Sequence, residues 1–128
     1  MAETQSLQEI VGQFFRAKTR FLPGWNAVAF STWTPLERYV VTIYPPGRKG
    51  RPSTDDKWML RVDARNDGTG FYYADAPESL LRYAREKLCQ ERRLDRALHN
   101  AYRSGDEQKI RALELERFLH YPLAGGAF

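Results

Sequence analysis

Arginine placement is the most distinctive chemical feature of this sequence. From Pro77 to Arg103 the chain reads PESLLRYAREKLCQERRLDRALHNAYR, with no Gly or Pro after the first residue. Wound at about 100° per residue, Arg82, Arg85, Arg92, Arg93, Arg96 and Arg103 fall within roughly 100° of arc. Leu80, Ala84, Leu88, Leu94, Leu98 and Ala101 occupy the opposite side. A planar guanidinium fork suits phosphate and carboxylate oxygens, and it holds its charge at any physiological pH. The expectation is that the stripe binds anions, against the alternative of a plain solvated face. Glu78–Arg82 and Arg82–Glu86 have the spacing of helical ion pairs. Glu91 and Asp95 project toward the apolar side instead, which leaves Arg92, Arg93 and Arg96 with no acid on their own face. Two acids on an apolar face mean either that the helix bends or ends near Gln90 or that they meet buried cations, such as Arg16 or Arg20 of the first helix.

A second basic element is the segment Gly47-Arg48-Lys49-Gly50-Arg51-Pro52. Three cations between glycines, carried on a loop between strands, can reach a phosphate backbone or a narrow minor groove. Lys49-Gly50-Arg51-Pro52 resembles the core of an AT-hook, a short motif laid along A·T-rich minor grooves. Lys49 stands where that motif usually has its first arginine. The resemblance implies Arg51 in the groove with Lys49 beside it. In the fourth predicted strand, Gly70 to Ala74, Tyr72 alternates against Phe71 and Tyr73. The expectation is that Tyr72 faces outward beside Arg61, as a stacking surface for bases.

Catalytic constellations are poorly represented. Cys89 is mid-helix with no glycine-rich elbow, and His99 and His120 have no partner at metal-ligand spacing. Asp55, Asp56, Asp63 and Asp67 match no calcium loop. The expectation is a protein without a catalytic centre, metal or other cofactor.

A chain of 128 residues can bury a real core as one domain, taken as 1–128. Of the 20 basic residues 15 are arginines, the formal net charge is +4 and the pI is near 9.4, all of which favour acidic partners. One cysteine rules out an internal disulfide and fits a reducing, cytoplasmic setting. No apolar run approaches the ~20 residues of a membrane helix, and no signal peptide is evident.

The elements that would position these groups follow from periodicity. Ser6-Leu7-Gln8-Glu9 reads as a capping box, opening a helix to about Arg20 whose apolar face is Leu7, Ile10, Val11, Phe14 and Phe15. Four strands follow, over 25–33, 38–44, 57–63 and 70–74, with Asn66-Asp67-Gly68 as a tight turn between the last two. The long helix is expected to take Asp75 as its N-cap, with Pro77 in its first turn. Gly105 should stop it and Asp106 should start a last helix, with Ile110, Leu113 and Phe118 inward. The predicted fold is α+β: a four-stranded antiparallel meander with an N-terminal helix, a C-terminal long helix and a short helix (α-ββββ-αα), the helices on one face.

Two functions fit these features. The first is a small non-enzymatic protein that contacts nucleic acid or a nucleoprotein complex through Arg48, Lys49, Arg51 and the arginine-lined helix face. The second is a protein–protein interaction module or small inhibitor, including one encoded by a mobile element, docking on an acidic partner. Neither requires a membrane.

Overall fold

The computed structural model describes residues 2–47, 57–66, 68–120 and 123. Along the chain they form α1 (Ala2–Phe15), β1 (Arg20–Leu22), β2 (Ala27–Trp33), β3 (Arg38–Tyr44), β4 (Trp58–Ala64), β5 (Gly68–Ala74), α2 (Pro77–Ser104) and α3 (Glu107–His120). The class is α+β. The sheet is an antiparallel meander in the order β1-β2-β3-β4-β5, so it has five strands and not four.

The additional strand comes from a shorter first helix. Ser6 lies inside α1, which already begins at Ala2, so it does not cap the helix. The helix stops at Phe15, where Arg16 takes a positive φ of 51° and the Ala17 N–H bonds back to the Gly12 carbonyl at 3.1 Å. A Cβ on Gly12 would sit 3.3 Å from the Ala17 oxygen, so a glycine there lets the chain fold back closely. Residues 20–22 are thereby released to pair with β2, in the register Arg20↔Ala29, Phe21↔Val28, Leu22↔Ala27. Leu7 and Val11 are buried as expected, but Ile10 is 50% exposed.

One face of the sheet carries Val28, Phe30, Tyr39, Val41, Ile43, Leu60, Val62 and Tyr72, and α1 and α2 cover it. Cross-strand partners share a face, and Tyr72 stands opposite Leu60. Tyr72 is consequently 2% exposed, with its hydroxyl donating to the Leu123 carbonyl, and does not face outward. The strand alternates as expected but with the opposite phase. The turn sets Ala64 opposite Gly68, and counting from there brings Tyr72 to the core side. Arg61 lies across from Phe71 on the other face. Its Nε is 3.0 Å from Asp63, and its guanidinium lies 5.8 Å from the Phe71 ring centroid.

The long helix runs for 28 residues, about 42 Å at the usual rise. Its N-cap is Ala76, which has no side-chain cap; Asp75 instead meets Lys57 at 2.9 Å. Gly105 ends it with φ 72° and a bond from its N–H to the Ala101 carbonyl, and Asp106 accepts the Lys109 N–H to start α3. The last helix folds back along the C-terminal half of α2, with Ile110 and Leu113 half-buried and Phe118 71% exposed rather than inward.

Asp95 joins three elements. It is fully buried, takes the Thr34 hydroxyl at 2.6 Å from the β2–β3 turn, and pairs with the Arg117 Nε of α3 at 3.1 Å. The cation is therefore Arg117, not Arg16 or Arg20. Thr34 Oγ1 also accepts the N–H groups of Leu36 and Glu37. Buried Glu37 in turn accepts the N–H of Arg38 and, across to the next hairpin, that of Asn66. Removing one partner from a buried pair strands the other's charge. Asp95→Asn should therefore lower unfolding stability by about 3 kcal/mol, as measured by urea denaturation, whereas Asp75→Asn, at an exposed pair, should change it by less than about 1 kcal/mol.

Candidate nucleic-acid interface

The basic site forms where the free half of β2 meets α2. Because β1 pairs only with Ala27–Ala29, residues 30–33 of β2 have no strand on that side among the described residues. The end of α1 and the connection into β1 run past this edge, and the middle of α2 closes the far side. Between them is a groove of about 970 Å³. Its wall includes Arg16 and Lys18 from the connection, Arg20 from β1, Arg85 and Arg92 from α2, the hydroxyl residues Thr19, Ser31 and Thr32, and Phe14, Phe15, Phe30 and Trp33, the last alternating against Thr32 so that its side chain leaves the sheet on the face away from α2. Five cations line it, and among the described residues no carboxylate does.

Each wall is fixed by its own contacts. Gln8 Nε2 donates to the Thr19 carbonyl and Thr19 Oγ1 to the Gln8 carbonyl, each at 3.3 Å, which pins the connection to α1. Phe15 packs on Phe30 with ring centroids 4.5 Å apart, forming an aromatic floor. The Arg85 guanidinium lies 4.2 Å from the Phe14 centroid, a cation–π contact that orients it without neutralising it. Arg92 Nη2 donates to Thr32 Oγ1 at 2.7 Å and ties α2 to β2 by a neutral acceptor, so its charge also stays uncompensated. A second hollow of about 370 Å³, lined by Cys89, Arg92, Arg93, Arg96, Ala97 and Asn100, shares Cys89 and Arg92 with the groove and extends it along α2.

The structure distributes the sequence-derived residues unevenly. Arg82, Arg85, Arg93, Arg96 and Arg103 are exposed and Arg92 is half-buried, so the stripe exists. Glu78–Arg82 and Arg82–Glu86 do not close to ion-pair distance. Arg93 approaches Glu116 of α3 at 3.7 Å, with both side chains well exposed, so this arginine does have an acid beside it, supplied by another helix. Arg82, Arg85, Arg92 and Arg96 have no such neighbour among the described residues. Arg61 and Tyr72 belong to other environments, as given above. Arg48, Lys49 and Arg51, with the AT-hook-like segment, lie outside the described residues.

Comparison with protein-family models, with curated proteins and with solved structures yields no match. The site therefore has to be interpreted from its own chemistry. Sequence reasoning missed Arg16, Lys18, Arg20 and Trp33, which are spread over a connection and a strand end and share no periodicity. The one available signal was Arg-Ala-Lys-Thr-Arg at 16–20, which reads as the polar tail of a helix until the helix is known to stop at Phe15. Among the described residues no group of three His, Cys, Asp or Glu side chains could hold a metal ion, and no helix is long and apolar enough to cross a membrane.

Behind the arginine face sits a buried acid. Glu91 is 4% exposed and accepts the Leu123 N–H. Burial pushes its carboxyl up from the ordinary 4.5 to about 7, and nearby Asp95 adds to the rise. The Leu123 N–H, the Tyr39 hydroxyl and Arg117 pull the other way. The folded chain thus holds a proton here that the unfolded chain has released between about pH 4.5 and 7, so this group makes stability fall as pH rises through that window. Glu91→Gln keeps the acceptor oxygen and removes the titration. Relative to the variant, the wild type should lose on the order of 3 kcal/mol between pH 4.5 and 7.5, read from urea midpoints across pH. Parallel pH curves for the two proteins would refute this.

Proposed function

We propose that this protein binds nucleic acid without catalysis, through the groove between α2 and the free edge of β2 and through the arginine face that extends it. The observation that carries the reading is the concentration of five cations around one concavity with no carboxylate among the described wall residues. Like charges gathered this closely repel one another, a cost that an anion lying in the groove removes. Arginines hold their protons at neutral pH, so they serve as clamps for phosphate oxygens and not as proton-transfer groups. Arg85 and Arg92 are aimed by Phe14 and Thr32, which lowers the entropy lost when each engages a phosphate.

Phosphate contact releases counterions, so affinity should fall steeply with salt. With roughly five phosphates engaged, log K against log salt should have a slope of about −3.5 for a single strand. Arg85→Ala with Arg92→Ala should weaken binding at least about tenfold near physiological salt and make the slope shallower by about 1.4, measured by fluorescence anisotropy with mixed-sequence DNA and RNA. A chain that binds no DNA or RNA even at low salt would overturn the proposal.

A further inference from the structure

The arginine face of α2 extends past the groove, and its shape bears on which form of nucleic acid fits, a question that rests on the nucleic-acid reading of the site. The solvent side of α2 carries Arg82, Arg85, Cys89, Arg93, Arg96 and Arg103, all exposed. Exposed Asn100 fills the one gap, so steps of three or four residues make a single line along the helix. At the usual rise this line is about 32 Å long. The helix is unbroken over that length, with no glycine or proline after Pro77 to kink it. Glu86 borders the line and Glu116 of α3 approaches Arg93; the other acids of α2 beyond Arg82, Glu91 and Asp95, are buried. Arg85 belongs to both the line and the groove, so the two form one cationic strip, and Arg82 and Arg103 carry it beyond both hollows.

A single-strand site combines such cations with rings on which bases stack. No aromatic residue stands on this line. Tyr83 packs against Tyr72 on the core side, and Tyr102 turns its hydroxyl to Glu114 of α3. Cations without a stacking surface suit phosphates that are already held in place. A duplex supplies them: it is stiff over about 150 base pairs, and one turn rises about 34 Å, close to the length of the line. Arginines at fixed spacing then meet phosphates at fixed spacing with little to order on either partner, whereas a single strand gives up backbone freedom to lie straight.

We propose that α2 lies against about one turn of double-stranded nucleic acid, with its exposed arginines from Arg82 to Arg103 on the phosphates. Contacts of this kind position a protein on a duplex without reading its sequence.

The test uses the full chain with mixed-sequence blunt duplexes of about 16 base pairs, one DNA and one RNA, their separate single strands, and poly-glutamate, each followed by fluorescence anisotropy. Binding of the DNA or the RNA duplex at least about tenfold more tightly than its single strands, at equal salt, supports the inference and identifies the form bound. Arg82→Ala with Arg103→Ala, at the two ends of the line, should weaken binding of the DNA duplex at least about fivefold near physiological salt and make its salt slope shallower by about 1.8. Binding of single strands should be unchanged in that variant, and Arg82→Lys with Arg103→Lys should restore the slope. A circular dichroism spectrum confirms that both variants fold. If a single strand binds as tightly as its duplex, or if the doubly alanine-substituted chain binds duplex like wild type, the duplex inference fails while the nucleic-acid reading stands. If poly-glutamate binds and no nucleic acid does, the face belongs to an acidic protein segment and both fail.

Discussion

The structure depends on one buried carboxylate. Asp95 sits about two-thirds of the way along the long helix with no solvent contact, and its two oxygens are taken by Thr34 and Arg117. That places the sheet, the long helix and the last helix on a single ionic node. A buried pair of this kind gains little over an apolar substitute, because desolvation offsets most of the attraction. What it does impose is geometry. The two Asp95 oxygens have directional partners on two different elements, which ties the rotation of α2 to the sheet and to α3.

That rotation determines the site. With Glu91 and Asp95 held inward, the helical repeat sends Arg85, Arg92 and Arg96 to the side where β2 has no neighbouring strand. The turn that supplies Thr34 is itself braced. Thr34 Oγ1 accepts two backbone N–H groups, and Glu37 bonds both its own strand and the next hairpin through Asn66. The backbone of the turn that follows β2 is thus braced by side-chain hydrogen bonds on both sides of Leu36.

The acids and arginines of α2 form one arrangement seen from two sides. Acids on the inner side face hydroxyls, a backbone N–H and Arg117, and so do not compensate the arginines outside. Where α3 brings Glu116 within reach of Arg93, compensation begins, and the uncompensated charge is correspondingly concentrated toward Arg85, Arg92 and the connection into β1. The charge of the groove follows from the inward turn of Glu91 and Asp95 and from where α3 ends up.

Local rules in the sequence determined the α+β class, the apolar and arginine sides of α2, the stop at Gly105 and the start at Asp106, since periodicity, αL tolerance and capping involve only neighbours in the chain. The tertiary structure alone decided the rest. The end of α1 depended on Arg16 entering the left-handed region over Gly12, and that released a fifth strand. The phase of β5 depended on a turn register that reversed Tyr72. The partner of Asp95 came from a helix 22 residues further on. The groove needed all of these together, because a concave site is a property of elements brought side by side, and residues 16–20, 33, 85 and 92 become neighbours only after the chain has folded.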